Sequence, residues 1–159
     1  MTLPAAEAYE FLKRQNIGVI STVSEQGVPE AALVNYGVTE SLELILETLQ
    51  TSRKFRNLHH NPQMAMVMGV GKDCLTCQYE GIAGWPAQAA LPGLLDIYFA
   101  ARPEALQHRG WPDLVYLHVR PVWIRISNYD LMHWNVKELR LNGPAARAAS
   151  IPLPPPSHE

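Results

Sequence analysis

The chain has 159 residues, 47% of them hydrophobic and 18% charged, with a formal net charge of -2. That length suits one domain with a buried core, and the near-neutral balance excludes a chain-wide electrostatic grip on nucleic acid. No apolar run approaches the roughly 20 residues of a membrane helix, and the opening "MTLPAAEAYEFLKRQ" lacks the apolar core of a signal peptide, so a cytoplasmic protein with no membrane attachment is expected.

Residues 4–15 predict a helix: Pro4 suits a first turn, and Ala5, Ala8, Tyr9 and Leu12 make an apolar stripe. "IGVISTVS" predicts a β-branched strand, "EQG" a tight turn, residues 29–38 a second strand and "TES" another turn. "LELILETL" alternates, with Leu42, Leu44 and Leu46 on one face and Glu43, Ile45 and Glu47 on the other, which predicts a third strand. A short basic helix follows, stopped by Asn61 and Pro62. "QMAMVMGV" predicts a fourth strand, "GKD" a turn, and residues 74–83 a fifth strand. Residues 86–113 read as helical with interruptions at Pro92, Pro103 and "RGWP". "LVYLHVRPVWIRIS" reads as two strands, or one long strand bent at Pro121, since proline cannot donate to a ladder. Residues 1–142 are expected to form a single domain, and the Ala/Pro-rich residues 143–159 a loose tail.

Strands separated by turns, with helices at the joints, predict an antiparallel sheet or barrel of the α+β class, mainly β, rather than a parallel α/β fold. No "GxGxxG" follows a strand, which argues against a Rossmann dinucleotide site. The two cysteines, Cys74 and Cys77, have the spacing of a zinc half-site or a redox pair, but no second ligand pair exists. Their surroundings alternate like a strand, where side chains three apart point to opposite faces, so ordinary strand cysteines are expected. His59 and His60 are neighbours on a helix end, where adjacent side chains diverge by about 100° and do not readily chelate one ion. No metal site is expected, and no catalytic acid/base pair or serine triad is readable.

The stretch "LETLQTSRKFRNLHHNPQMAMVMG" crowds positive charge at the start of the basic helix. A helix N-terminus carries about half a positive charge and exposes unpaired N–H groups. Arg53 and Lys54 are therefore unfavourable there by roughly 0.3–1 kcal/mol each. A cap from Thr51 or Ser52 satisfies one or two N–H groups and leaves the excess charge. A bound phosphate answers both, accepting from amides and hydroxyls and pairing with the cations. A solvated, capped surface helix is the plain alternative.

"TLQTSRKFRNLHHNPQMAMV" resembles the pattern T-x-x-x-S-R-K-x-x-N-L-x-x-N-P-x-x-A-x-V of the pyridoxamine 5'-phosphate oxidase-like proteins, the FMN-binding split barrels. "GVISTVSEQGVPEAALV" resembles their first hairpin, and "TCQYEGIAGW" the strand after the asparagine-proline turn. The resemblance implies an antiparallel split β-barrel that pairs as a homodimer with FMN in the cleft. It implies phosphate anchors at Ser52, Arg53 and Lys54, with Thr48 and Thr51 beside them. It implies backbone contacts to the isoalloxazine from Ala32, Leu33, Val34 and Asn35, and ring or ribityl contacts from Thr76 and Gln78. Trp123 and Arg125 alternate onto one face and could reach the partner's flavin, as could Trp134; a core or dimer-interface role is the plain alternative for the aromatics.

The family's oxidases bring an arginine and a lysine from the second strand to the flavin phosphate; this chain has Ala32 and, within a residue or so, Gly37. "VWIRISNYDLMHW" also lacks their arginine-and-histidine cluster for the substrate phosphate. The expectation is an FMN-binding oxidoreductase acting on a small molecule other than pyridoxamine phosphate. A deazaflavin in place of FMN, or no cofactor at all, are the other cofactor states. The alternatives are a non-catalytic dimer binding a flavin or other small ligand, and a haem-binding or haem-degrading protein with His118 or His133 as axial ligand.

Overall fold

The computed structural model describes residues 1–69 and 74–141; the turn expected at 71–73, Asn142 and the tail at 143–159 lie outside the described residues. In chain order the elements are α1 (Ala5–Gln15), β1 (Ile17–Val23), β2 (Pro29–Asn35), β3 (Gly37–Val38), β4 (Leu44–Leu49), α2 (Arg53–His60), β5 (Gln63–Met68) and β6 (Leu75–Gly84). There follow α3 (Leu91–Ala101), a 3-10 helix (Pro103–His108), β7 (Leu114–Asn128) and β8 (Asn135–Arg140).

The strands form one antiparallel sheet in the order β2-β1-β5-β6-β7-β4-β3, with β8 on β7 beyond the end of β4. The sheet curls into a split barrel with flanking helices, the α+β architecture expected. Its inner face is apolar because the strands alternate: Met64, Met66 and Met68 are buried on β5, while Gln63, Ala65 and Val67 face out. Ile20, Tyr79, Leu117 and Ile124 join them in one core, plugged by Ala8, Phe11 and Leu12 of α1. Each such apolar side chain contributes about 1.5–3 kcal/mol by leaving water. The buried phenols are satisfied within it: Tyr36 donates to the Leu12 carbonyl at 2.9 Å and Tyr79 to the Leu42 carbonyl at 3.0 Å.

Four expectations need correction. Residues 29–38 are two strands, not one. β2 pairs with β1 from Val23↔Pro29 to Ile17↔Asn35, whereas β3 pairs with β4. The break falls at Tyr36, whose side chain is fully buried and whose amide donates to the Asn16 carbonyl at 3.0 Å. Gly37 then passes so near α3 that a Cβ there would stand 3.0 Å from the Tyr98 Cα.

The third strand starts at Leu44 rather than Leu42, because Leu42 sits in the turn with φ of 67°. Its amide donates to the Thr39 carbonyl at 2.9 Å. The fourth strand likewise ends at Met68, ahead of Gly69 with φ of 83°.

The fourth correction is β8, which was not expected. Its residues are half-exposed on both faces, and it is held by β7 and by the N-terminus, where the Leu3 amide donates to the Glu138 carbonyl at 2.9 Å.

Residues 114–128 are one strand. Opposite them, Glu80 pairs with Trp123 and Gly81 with Pro121, so Val122 is an extra residue that bends β7. Pro121 sits at this irregularity, where a missing N–H is tolerated. The segment at 86–113 supplies α3 and the 3-10 helix. Leu94, Tyr98 and Ala105 cover Ile45 on the outer face of β4.

Candidate functional site

The basic helix starts as expected. Ser52 is the N-cap of α2, and its hydroxyl accepts from the Phe55 amide at 3.3 Å. Thr48, at the end of β4, shares a hydrogen bond of 3.0 Å with the same hydroxyl and so fixes the cap against the sheet. Thr51 is exposed, and its carbonyl accepts from the Arg56 guanidinium at 2.8 Å. The amides of Arg53 and Lys54 precede any helical acceptor and have no intrahelical partner.

Arg53 and Lys54 line an open groove of about 350 Å³ with Thr22, Pro29, Glu30, Ala31 and Ala32. The two cations differ. Arg53 is exposed and ion-paired with Glu30. Lys54 is half-buried and has no ion-pair partner among the described residues. Partial burial pushes its pKa below the ordinary lysine value, since leaving water disfavours the ammonium.

Glu30 was not read as a site residue from the sequence. Its second carboxylate oxygen accepts from the Asn57 amide at 2.9 Å, and the same amide nitrogen lies 3.0 Å from the Thr22 hydroxyl. Asn57 belongs to α2 and is only 7% exposed. The only sequence signal for Glu30 is an inward position on β2, opposite Thr22 in the hairpin register.

The groove continues into a second one of about 380 Å³, which shares Thr22 and Pro29 with it. The second groove runs across β1 and β5 to Glu80, Gly81 and Val122 at the bend of β7. Together they form a trough with a cationic end and a mixed polar and apolar floor. A larger cavity of about 570 Å³ lies elsewhere, between α1, β3 and α3, and contains none of the residues expected in the site.

The other expected residues fall into separate groups. On β2, Ala32 and Val34 face inward and Leu33 and Asn35 outward, so these four do not present one surface. The registers set Leu33, Val19, Val67, Gln78, Arg125 and Glu138 in one row across the outer face. Leu33 and Gln78 are thus three strands apart, about 14 Å. Thr76 and Gln78 share that face with Trp123 and Arg125. Both β7 residues reach Glu138: the Trp123 indole donates to it at 3.4 Å, and the Arg125 guanidinium lies 3.8 Å away.

Trp134 is 63% exposed in the loop before β8. His118 meets the Glu43 carboxylate at 3.1 Å and His133 meets Asp130 at 3.3 Å. Both cysteines are free: Cys77 is a buried strand residue of β6, as expected, whereas Cys74 is exposed and lies just before β6 with φ of 53°, not in the strand. Among the described residues no group of three or more His, Cys, Asp or Glu side chains could hold a metal.

A family model described as pyridoxamine 5'-phosphate oxidase matches residues 5–128. The chain belongs to the pyridoxamine 5'-phosphate oxidase-like family. Solved structures share the fold at low identity. A heme-binding protein from Mycobacterium smegmatis is 21% identical with a TM-score of 0.74, over 94% of this chain and 62% of that one. This chain therefore spans less than two thirds of that protein's length. The heme storage protein HutZ from Vibrio cholerae is 17% identical with a TM-score of 0.62, over 76% of this chain and 91% of that one. A putative pyridoxamine 5'-phosphate oxidase from Listeria innocua is 18% identical with a TM-score of 0.61, over 78% and 98% respectively. None of the curated proteins matches. Within the family, this member has Ala32 inside the cationic groove and a carboxylate, Glu30, paired to one of its two cations.

Proposed function

We propose that the chain binds a small planar cofactor by an anionic arm seated at the start of α2, with FMN the leading candidate, and does so as a homodimer. The observation that carries this reading is Lys54: a half-buried ammonium with no ion-pair partner among the described residues, beside two helix amides that lack an intrahelical acceptor. Burial without a partner disfavours that charge, and an arriving anion removes the penalty. Family membership and the trough leading away from Lys54 support the same reading.

FMN fits the groove in part. Lys54, the Arg53 and Lys54 amides and the Thr22 side of the groove would hold its phosphate, and the trough toward Val122 would take the ring. When bound, the flavin supplies two-electron chemistry, and the protein supplies anchoring and orientation. Oxidoreductase activity on a small molecule is then a property of the bound group, with no side chain assigned to catalysis. Leu33 and Val67, 67% and 42% exposed on the outer face, are apolar surface suited to a second copy. Two free cysteines accord with a reducing cytoplasm.

The test is fluorescence titration with FMN and with riboflavin, which lacks the phosphate. FMN should bind at micromolar concentration, more tightly than riboflavin. Lys54→Ala should erase that difference. No uptake of FMN, or a Lys54→Ala variant that binds it unchanged, would overturn the reading.

Haem is the second reading, favoured by two solved structures of this fold whose proteins bind or store heme. His118 and His133 are each positioned by a carboxylate. Haem titration should then give a Soret band that Ala substitution of one of these histidines abolishes.

A further inference from the structure

We infer that the cavity of about 570 Å³ between α1, β3 and α3 binds a free apolar α-amino acid, held as a one-residue strand on the open edge of β3. The site is separate from the trough and does not rest on the reading given for it.

The open edge follows from the register. β3 ends the sheet, with β4 on one side and no strand on the other. The Thr39 amide donates to the Glu43 carbonyl at 2.9 Å, which makes theirs a hydrogen-bonded pair. Antiparallel pairs alternate, so Val38↔Leu44 is non-bonded and Gly37↔Ile45 is bonded. The Val38 N–H and C=O therefore point away from β4, to the side where the Tyr36 amide meets the Asn16 carbonyl. Val38 lines the cavity, and neither of its backbone groups has a partner on that side among the described residues.

An N–H and a C=O open on one extended residue are matched by the backbone of one further residue. A free amino acid supplies it: a carboxylate oxygen accepts from the Val38 N–H, and the ammonium donates to the Val38 carbonyl. Set antiparallel to β3, its carboxylate lies toward Tyr36 and Asn16 and its ammonium toward Glu40. The cavity carries its charges in that order. Lys13 stands one helical turn from Asn16 on α1, Glu40 lies two residues past Val38, and all three line the cavity. Neither Lys13 nor Glu40 has an ion-pair partner among the described residues. The Lys13 ammonium sits instead over the Tyr9 ring, 5.4 Å from its centroid. A zwitterion answers both charges, where a simple acid or amine answers one and faces the other. The rest of the wall is apolar, with Tyr9, Leu12, Ile97 and Ala100 set to receive a hydrocarbon or aromatic side chain. The volume falls in the range of small-molecule pockets, about 300–1,000 Å³.

Isothermal titration calorimetry on the full-length protein tests this with phenylalanine and three analogues. Phenethylamine lacks the carboxylate, hydrocinnamate lacks the ammonium, and N-acetylphenylalanine amide keeps a peptide edge without either charge. Phenylalanine should bind at submillimolar concentration and each analogue about tenfold more weakly or worse, because hydrogen bonds to charged groups are the strong ones. Glycine should also fall about tenfold or more, for want of a side chain to bury. Ala100→Trp puts a large ring into the cavity and should abolish binding. Lys13→Met should weaken phenylalanine about fivefold, as an exposed ion pair does, and leave phenethylamine unchanged. An analogue binding as tightly as phenylalanine, or no binding of phenylalanine at millimolar concentration, would overturn the inference. So would an Ala100→Trp variant that binds phenylalanine as wild type does. The wild-type comparison decides the matter even where a variant fails to fold.

Discussion

The guanidinium of Arg53, in the first turn of α2, is ion-paired with the carboxylate of Glu30 on β2. The pair joins residues far apart in sequence and divides the two cations of the basic helix start into one neutralised and one with no ion-pair partner among the described residues. Lys54 is left as the group with most to gain from an anion.

Lys54 also gives a pH signature. Its pKa in the folded protein lies below the ordinary lysine value of 10.5 because burial disfavours the ammonium. Between that lowered value and 10.5 the unfolded chain binds more protons than the folded one, so stability from this group rises with pH. Urea unfolding across this alkaline window should show wild type gaining on Lys54→Met as pH increases. A difference that stays flat or shrinks would refute the assignment. A bound anion should shift the window upward, since it favours the charged form.

Asn57 bonds to Glu30 and Thr22 through a side-chain amide that is nearly excluded from solvent. Asn57→Ala should cost about 1–3 kcal/mol by leaving a buried hydroxyl and a carboxylate with fewer partners. In Glu30→Gln the same substitution should cost less, because the two residues share one network. A double-mutant cycle by chemical denaturation measures the coupling; strict additivity would show that the contacts are energetically idle.

Two glycines should behave in opposite ways. A Cβ at Gly81 would stand 2.6 Å from Val119 Cγ1 and 2.8 Å from the Arg120 carbonyl oxygen, beside the bend of β7. Gly81→Ala should destabilise by about 1–3 kcal/mol, the usual cost of overpacking. Gly93 lies inside α3 with nothing within 4 Å of a Cβ. Gly93→Ala should stabilise by roughly 0.5–1 kcal/mol through helix propensity. Thermal melts of the two variants check both signs.

The cysteines should differ in reactivity. The Cys77 thiol is fully buried and its pKa is pushed up to about 12 by desolvation. Cys74 is exposed. A chromogenic disulfide reagent at neutral pH should titrate one thiol in native protein and two in denaturant. Rapid native titration of both would mean that β6 opens readily.

Much of the fold was legible because its signals are local. The alternation of β4 and β5 and the Ser52 cap with its Asn-Pro stop each lie within a few residues. What was missed depends on distant partners. The break at Tyr36 is invisible because tyrosine continues the apolar pattern of β2; only its carbonyl partner on α1 shows that the chain turns inward there. Ile45 looks like the odd apolar residue on a polar face until α3 covers it. β8 carries no alternation in burial and is ordered by its neighbours. The same holds for the site. Arg53 and Lys54 stood out as a cluster, but Glu30 beside a hairpin turn reads as an ordinary solvated charge until α2 folds back onto it.

The short link at Tyr36 has a further consequence. β2 and β3 are the two margins of the curled sheet, and one residue joins them. A closed barrel has no raw edge to offer a neighbouring chain. Here closure comes from a covalent hinge instead of a ladder, so proteolytic nicking beside Tyr36 would let both rims part and expose their unpaired amides and carbonyls.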